Sequence, residues 1–329
     1  MFLIISFITF VSASWDLLWK PHPIRNVWLC GWQTLPIAKH LFPEIIPKPY
    51  GGNAALQDLL FYDYGPCSHS VSTFPGRVLW FDGEYRTQHP TQVRPQDYYF
   101  GPFPTSKMPH KSLHWPFLLT ELLTLDGLNS LVQNKRPSIP IDTSFLVYAA
   151  SHCVSHREQA FESLRTLSIQ NNLDPPEAIG LCKRGHGTGN RDNNLQIYQK
   201  YRFSLVMENR FGKGYVTEKI LIPFLAGSIP IYYGDLDTVR TMFNEIAFIW
   251  YDIQHPQTAL DRIAYLESNR TAYLEVRNAP ILAPGAKKRW FSLTDEIEGG
   301  WFKQEIRQWL DTEALHPLLS KQTLVRRHP

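Results

Sequence analysis

Residues Phe203–Gly234, FSLVMENRFGKGYVTEKILIPFLAGSIPIYYG, decide the predicted fold. The stretch opens with an apolar run of strand length, Phe203–Met207, and closes with a second one, Ile229–Tyr233. Between them lie a loop with two glycines, Arg210–Gly214, and an apolar run long enough for a helix. This order predicts a βαβ unit, in which the loop and the start of the helix meet at the carboxyl ends of parallel strands.

The predicted helix of this unit has signals at both ends. Thr217 offers a side-chain oxygen as N-cap, and Glu218 occupies the first turn, where the helix dipole favours an acid. Gly227 is suited to ending the helix. Because Pro223 removes a hydrogen bond inside it, we expect this helix to be short or bent.

The start of such a helix is a ready site for phosphate groups. Lys219 has no obvious internal partner and can set an ammonium beside a pyrophosphate. Glu218 would repel a phosphate, but its two oxygens can accept hydrogen bonds from the vicinal diol of a ribose. The alternative for this pair is an exposed first turn with solvated side chains, and the surrounding pattern favours the binding interpretation.

The composition excludes several classes of protein. Of 329 residues, 43% are apolar and 19% charged, which is too hydrophobic for a disordered chain. A formal net charge of +3 is too small to indicate a nucleic-acid partner. The four cysteines form no CxxC pair, so they predict neither a zinc site nor a dense disulfide framework.

The rest of the chain predicts a mixed α/β protein of two domains. Val27–Trp32 and Val78–Phe81 are short β-rich runs, whereas six of the 25 prolines fall between Pro90 and Pro116, which we predict to be irregular surface. A new strand–helix pattern begins at Phe145–Ala149 and Ser155–Leu167. We therefore predict an N-terminal domain at 21–140, a C-terminal domain at 141–300, and a C-terminal helix and tail at 301–329, with the boundary in the polar stretch Asn134–Ser144.

The first residues carry the signal for location. Phe2–Val11 is apolar apart from Ser6 and Thr9, and small residues follow it. This run is too short to span a bilayer but has the length of a signal-peptide core, although the usual basic leader is missing. Residues 1–20 are therefore interpreted as a signal peptide or the remnant of a membrane anchor, with a buried first strand as the alternative.

Three motifs in Phe203–Gly234 resemble the donor-binding signature of the α1,3-fucosyltransferases, glycosyltransferase family 10. They are Glu208-Asn209, Tyr215–Lys219 and Ile229–Tyr232, in the family's order. The similarity extends upstream to three further segments, which look like the family's strand ending in Gly-Glu, its Ser-Asn helix entry and its Tyr-Gly-x-Cys: Arg77–Glu84, Ala150–Phe161 and Ile179–Cys182.

This resemblance implies a GT-B fold, with two facing Rossmann-like domains and a cleft between them. GDP-fucose would bind the second domain, and the acceptor sugar would approach from the first. Carried over by position, Glu84 is the catalytic base, and six residues bind the donor: Arg157, Glu208, Asn209, Tyr215, Glu218 and Lys219.

The implied reaction is an inverting transfer of fucose to an oligosaccharide, at O3 of an N-acetylglucosamine. No divalent metal is expected if Lys219 and a second cation stabilise the departing GDP. The resemblance also implies the secretory pathway, in particular a Golgi membrane reached through the N-terminus, with a cytoplasmic location as the alternative. The other functional interpretations are a related transferase with another donor or acceptor and a catalytically silent sugar-nucleotide-binding protein.

The second cation is uncertain from sequence alone. An ungapped alignment on Ser151 and Phe161 puts the family's basic residue at Glu158, and Arg157 comes one residue early, which is about 100° of rotation on a helix. A solvated helical cation is the alternative for Arg157.

Three other patterns imitate functional sites. Asp235-Leu236-Asp237 matches a metal-binding Asp-x-Asp but is predicted to be a strand-to-helix turn with an N-cap acid. The GHGTGN stretch, 185–190, lacks dinucleotide spacing and is predicted to be a surface loop. His152, Cys153 and His156 are three candidate metal ligands without a fourth, so we interpret them as part of the helix entry.

Overall fold

The structure is a computed structural model. It describes residues 24–31, 34–63, 67, 71–84, 93–102, 111–124, 127–138, 140, 143–182 and 194–312. The predicted leader at 1–20 and the GHGTGN stretch lie outside these residues, as does the tail after 312. Within the described ranges, no helix has the length and apolar character needed to cross a bilayer.

The first half of the chain forms a six-stranded sheet in which all neighbouring strands are parallel. In space the strands lie in the order β2-β1-β3-β4-β5-β6. Their bounds are β1 Val27–Cys30, β2 Lys48–Pro49, β3 Leu59–Tyr62, β4 Arg77–Phe81, β5 Tyr98–Gly101 and β6 Ser112–His114.

The second half forms a five-stranded parallel sheet in the order β11-β10-β9-β7-β8. From β7 the chain moves to one side for β8 and then to the other side for β9, β10 and β11. The strand order therefore reverses between β7 and β9, and ligands of open α/β sheets bind at such a reversal. The bounds are β7 Ser144–Ala150, β8 Glu177–Gly180, β9 Tyr201–Met207, β10 Ile229–Tyr233 and β11 Ile249–Trp250.

The helices of the described residues connect these strands and cover the sheets. Two 3₁₀ turns, Glu245–Ala247 and Glu298–Gly300, accompany them. The helices are α1 Thr34–Leu41, α2 Phe117–Thr124, α3 Leu128–Val132, α4 Ser155–Gln170, α5 Asn194–Tyr198, α6 Glu218–Ala226, α7 Leu236–Met242, α8 Gln257–Ser268, α9 Arg270–Asn278, α10 Ala286–Phe291 and α11 Trp301–Thr312.

The predicted βαβ unit is confirmed as β9, α6 and β10. The Thr217 side chain accepts a hydrogen bond from the Lys219 amide at 3.5 Å, so it is the N-cap of α6. Gly227 ends the helix with a left-handed backbone, φ 82°, which a residue with a side chain rarely adopts. Pro223 lies inside α6, which is short, with nine residues.

The prediction of irregular surface between Pro90 and Pro116 is wrong for the part that the structure describes. Strands β5 and β6 lie here, and every residue of both is buried. The prolines that the structure describes here, Pro95, Pro102 and Pro116, flank the strands instead of interrupting them. A proline removes only its own amide donor, so the aromatic run Tyr98–Phe100 between prolines can still pair as a strand.

Helix α11 returns the end of the described chain to the first sheet. The ring of Trp309 lies 4.9 Å from that of Tyr98 and 6.0 Å from that of Phe100, measured between centroids. The Tyr98 hydroxyl donates to the Leu310 carbonyl at 3.0 Å, and the guanidinium of Arg77 donates to the same oxygen. A buried cluster of apolar side chains, which includes Phe81, Val216 and Trp309, joins both halves of the chain.

The four cysteines form two disulfides. Cys30 pairs with Cys67, and Cys153 pairs with Cys182. The second bond ties the segment before α4 to the segment after β8. It also engages Cys153, one of the three residues that could have been mistaken for metal ligands.

We predict that Trp309→Ala lowers the free energy of unfolding by about 3–5 kcal/mol, because it empties a buried site where α11 meets the first sheet. Denaturant unfolding followed by circular dichroism measures this. Gln308→Ala is the control, since Gln308 is exposed on the same helix, and its effect is expected to stay within about 0.5 kcal/mol. Equal effects of the two substitutions would show that α11 does not stabilise the first half.

Candidate active site

A cavity of about 370 Å³ opens at the carboxyl ends of β7 and β9. This volume lies within the usual range for small-ligand pockets. The cavity therefore lies at the reversal of strand order described above. Its wall includes Tyr148–His152, Leu205–Met207 and the start of α6 from the second half of the chain, and Glu84 and Phe117 from the first.

Glu208 fixes the start of α6 through hydrogen bonds behind the residues that line the cavity. Its carboxylate is fully buried and accepts hydrogen bonds from the Thr217 amide at 2.8 Å and from the Thr217 hydroxyl at 3.0 Å. The Tyr232 hydroxyl of β10 donates to it at 3.2 Å. Glu208 is absent from the residues that line the cavity, so in this structure it supports the site without facing it.

Lys219 has internal partners, contrary to the sequence-based expectation. Its ammonium lies 2.9 Å from the Thr217 hydroxyl oxygen and 3.3 Å from a carboxylate oxygen of Glu208. The expectation failed because Glu208 precedes Lys219 by a whole loop, and only the fold brings the two together. The side chain keeps 24% of its surface exposed and lines the cavity.

The charge on Lys219 is stabilised by its surroundings. Burial lowers the pKa of its ammonium, but the carboxylates of Glu208 and Glu218 more than offset this, and the net shift is upward. Lys219 therefore presents a cation to the cavity at neutral pH.

Arg157 of α4 is a second cation at the cavity. Of the two candidate positions on this helix, Arg157 and Glu158, it is Arg157 that faces the cavity. Its side chain lines the cavity, and one guanidinium nitrogen donates to the Met207 carbonyl at the end of β9. Its Nε is buried and has no hydrogen-bond partner among the described residues. Glu158, the residue that the ungapped alignment favoured, instead accepts a hydrogen bond from the Tyr148 hydroxyl at 2.9 Å.

Burial lowers the pKa of the Arg157 guanidinium, and Tyr148, Glu208, Tyr215 and Tyr198 act in the opposite direction. Burial of an arginine is costly, and the Glu208 carboxylate offsets only part of that cost, since the net shift of the pKa is downward. A bound phosphate would compensate for this cost.

Tyr215 links the two halves at the cavity. Its hydroxyl donates to a carboxylate oxygen of Glu84 at 2.9 Å, across 131 positions of sequence. Burial, with the carboxylates of Glu208 and Glu84, raises the pKa of the Tyr215 hydroxyl, which therefore remains a donor. Glu84 is exposed and follows the buried strand β4 by three residues, so its carboxylate stands at the cavity wall where solvent or a ligand can reach it.

The remaining residues predicted to bind the sugar donor lie in the cavity wall. Asn209 follows β9, and Glu218 lies in the first turn of α6, 3.9 Å from the Lys219 ammonium. The structure thus brings six of the seven predicted site residues to one cavity, and the seventh, Glu208, contacts one of them, Lys219, and the N-cap residue Thr217.

Sequence reasoning missed several cavity residues. Tyr198 ends α5 and is buried close to Glu218 and Arg157, whose charges act on its hydroxyl in opposite directions. Phe117 begins α2 in the first half. Ser151 and His152 could have been found, because they directly follow a predicted strand of a parallel sheet, whereas nothing local marks Tyr198 or Phe117.

The Asp-x-Asp pattern is engaged within the protein. Asp235 is buried and accepts hydrogen bonds from the Gly214 amide and the Thr238 hydroxyl, both at 2.7 Å. Asp237 is exposed and pairs with Arg240 at 2.5 Å. Asp235 does stand at the N-cap position of α7, as predicted, but its side chain makes no capping bond there and holds the loop before Tyr215 instead.

Part of this chain is similar to a known family of proteins. Residues 141–277 match the family model described as glycosyltransferase family 10 (fucosyltransferase) C-term. An alpha-(1,3)-fucosyltransferase of Helicobacter pylori is 31% identical over 140 residues, which are 42% of this chain and 28% of that protein. A GDP-fucose protein O-fucosyltransferase 3 of Gallus gallus is 28% identical over 201 residues, 54% of this chain and 41% of that protein.

Among solved structures, an alpha1,3-fucosyltransferase with GDP-fucose superposes with a TM-score of 0.53 at 21% identity, over 78% of this chain and 82% of that one. This likeness confirms the predicted α/β fold with parallel sheets. The aligned parts span 28% and 41% of the two curated relatives, so the match concerns a domain of each. Residues 141–277 are thus similar to the C-terminal domain of the glycosyltransferase family 10 fucosyltransferases, and the fold is similar to that of a solved alpha1,3-fucosyltransferase.

Proposed function

We propose that this chain is an inverting fucosyltransferase that moves L-fucose from GDP-fucose to O3 of an N-acetylglucosamine in an oligosaccharide. The observation that carries the proposal is the arrangement of charge around one cavity. Two cations, Lys219 and Arg157, stand in the wall built by the second half, and an exposed carboxylate from the first half, Glu84, stands in the same wall.

The cations suit the diphosphate of the donor. Lys219 is held at the start of α6, where the helix dipole adds to its charge, and the buried Nε of Arg157 has an unused donor. Glu218 lines the cavity beside Lys219, where its oxygens can accept from the ribose hydroxyls. Asn209 and Tyr215 would contact the nucleotide or the fucose.

The chemistry requires one base and a stabilised leaving group. Glu84 takes the proton of the acceptor hydroxyl while the oxygen of that hydroxyl bonds to the anomeric carbon of fucose. The bond from this carbon to the phosphate oxygen of GDP breaks at the same time. The electron pair leaves with GDP, whose growing charge is stabilised by Lys219 and Arg157. Attack on the face opposite the leaving group inverts the configuration and needs no covalent intermediate.

Transfer without a divalent metal is part of the proposal. Two side-chain cations supply the charge that a metal ion would otherwise bring to the diphosphate. The geometry of Asp235 and Asp237 supports this, because the first is buried against Gly214 and Thr238 and the second pairs with Arg240.

A second candidate acceptor is a side-chain hydroxyl of a polypeptide. It is favoured by the relative from Gallus gallus, which is named as a protein O-fucosyltransferase and aligns with more of this chain than the Helicobacter enzyme does. We also propose that the chain acts in the secretory pathway, at a Golgi membrane. Its two disulfides support an oxidising compartment.

The proposal predicts fucose transfer in the presence of EDTA. The purified chain is incubated with GDP-fucose and a panel of N-acetyllactosamine glycans and folded glycoproteins, and products are followed by mass. A gain of one deoxyhexose on a glycan supports the first acceptor, and a gain on a deglycosylated polypeptide supports the second. Activity that EDTA abolishes and manganese restores would contradict the metal-free mechanism, and binding of GDP-fucose without any transfer would support a catalytically silent protein.

We predict that Glu84→Gln lowers kcat by at least about 100-fold, because it removes the base, while GDP affinity changes less than about threefold. Single-turnover GDP release and calorimetric GDP titration measure the two quantities. Glu275→Gln, an exposed carboxylate on α9, serves as the control and should match the unsubstituted chain. Full activity of Glu84→Gln would exclude this residue as the base.

We predict that Lys219→Ala weakens GDP binding by about 1.5–3 kcal/mol, the usual contribution of a hydrogen bond to a charged group. Calorimetry measures the affinity. Thermal unfolding is followed in parallel, since the substitution also leaves the Glu208 carboxylate without its ammonium partner. Lys200→Ala, an exposed lysine before β9, is the control, and equal affinities in the two variants would remove Lys219 from the donor site.

A further inference from the structure

Both halves of the chain form hydrogen bonds to the segment from Gly214 to Thr217, which we call the clasp. The second half holds its ends, through Asp235 at the Gly214 amide and Glu208 at Thr217. The first half holds the positions between. The Tyr215 hydroxyl donates to Glu84 at 2.9 Å, and the Leu118 amide of α2 donates to the Val216 carbonyl at 3.2 Å.

Gly214, at the start of the clasp, forms backbone hydrogen bonds to both halves of the chain. The Gly214 amide donates to Asp235 at 2.7 Å, and the Gly214 carbonyl lies 3.0 Å from Nε2 of His114. A carbonyl oxygen only accepts, so His114 carries its proton on Nε2. His114 is fully buried at the end of β6, and burial lowers its pKa to about 4, which keeps the ring neutral at physiological pH.

Gly214 adopts a left-handed backbone, φ 75°, that sets the direction of the chain as it enters Tyr215. Small errors in this direction would be magnified at the Tyr215 hydroxyl, which lies at the far end of a long side chain. Misplacement of a reacting group by about 1 Å can lower a rate by about 100-fold.

We propose that Asp235 and His114, from opposite halves of the chain, are positioning residues. They bind the amide and the carbonyl of Gly214 and thereby place the Tyr215 hydroxyl beside the base Glu84. The Asp-x-Asp pattern then acts through its first acid, which shapes the loop beside the donor cavity. The clasp also couples the half that binds the donor to the half that carries the base. This inference rests on the proposed function for its kinetic readout.

The test compares Asp235→Ala with Asp237→Ala, its neighbour in the same motif, and His114→Leu with His114→Gln. We expect Asp235→Ala and His114→Leu to lower kcat about 10- to 100-fold, with KM for GDP-fucose within about threefold of the unsubstituted value. Asp237→Ala should leave kcat unchanged, because Asp237 is exposed and contacts only Arg240 among the interactions described here. His114→Gln should recover most of the rate, since the glutamine amide can donate to the Gly214 carbonyl.

A double-mutant cycle separates positioning from general destabilisation. Because His114 is proposed to act through Tyr215, His114→Leu should cost much less in a Tyr215→Phe background than in the unsubstituted chain. Additive losses would overturn the inference, as would equal losses in His114→Gln and His114→Leu.

A second readout does not need turnover. Hydrogen exchange of peptides that contain Gly214–Thr217 should accelerate in Asp235→Ala and His114→Leu but not in Asp237→Ala, at equal thermal stability. Unchanged hydrogen exchange of Gly214–Thr217 in Asp235→Ala and His114→Leu would overturn the inference about the clasp even if the enzyme is active. Absence of transfer by the unsubstituted chain, with exchange behaving as expected, would instead contradict the proposed function alone.

Discussion

The buried carboxylate of Glu208 is the constraint on which the site depends. A carboxylate without exposure to water is stable only with hydrogen bonds and a nearby cation, and here Thr217, Tyr232 and Lys219 supply them. Satisfying this one group fixes the start of α6, ties it to β10, and turns the lysine toward the cavity. The local chemistry of a strand end thus determines where a positive charge is offered to a ligand.

The cavity combines charges of opposite sign from different halves of the chain. Its cations belong to α4 and α6 of the second half, and the carboxylate of Glu84 follows β4 of the first. An inverting transfer needs this separation, because the base must act on the face opposite the leaving group. Docking of the halves through a shared apolar cluster is therefore part of the proposed active site as well as of the fold.

The similarity to glycosyltransferase family 10 restricts the choice of donor substrate more than the choice of acceptor substrate. The residues proposed to bind the donor lie in the part of the chain that matches the family model, 141–277, whereas Glu84 and Phe117 lie outside it. The curated relatives include proteins named for an alpha-(1,3) linkage and others named as protein O-fucosyltransferases. An acceptor surface built mainly by the first half would explain why relatives that share the donor domain differ in this respect.

The sequence by itself determined the βαβ unit, and its motifs carried the resemblance to glycosyltransferase family 10. Thr217, Gly227 and the alternation of apolar runs are local signals, and local backbone preferences are enough to read them. The same signals predicted a phosphate-binding helix start at Glu218 and Lys219, whereas Glu208, Asn209 and Tyr215 were predicted as site residues from the family resemblance.

The tertiary structure alone decided the rest. It turned Arg157 and not Glu158 into the cavity, because that choice depends on how α4 packs beside β9. It also paired Lys219 with Glu208 and Tyr215 with Glu84, which lie 11 and 131 positions apart in sequence. Strands β5 and β6 formed despite their flanking prolines, since burial against neighbouring strands and α11 outweighs local composition. Contacts between distant segments have no local signature, so only the folded chain could supply them.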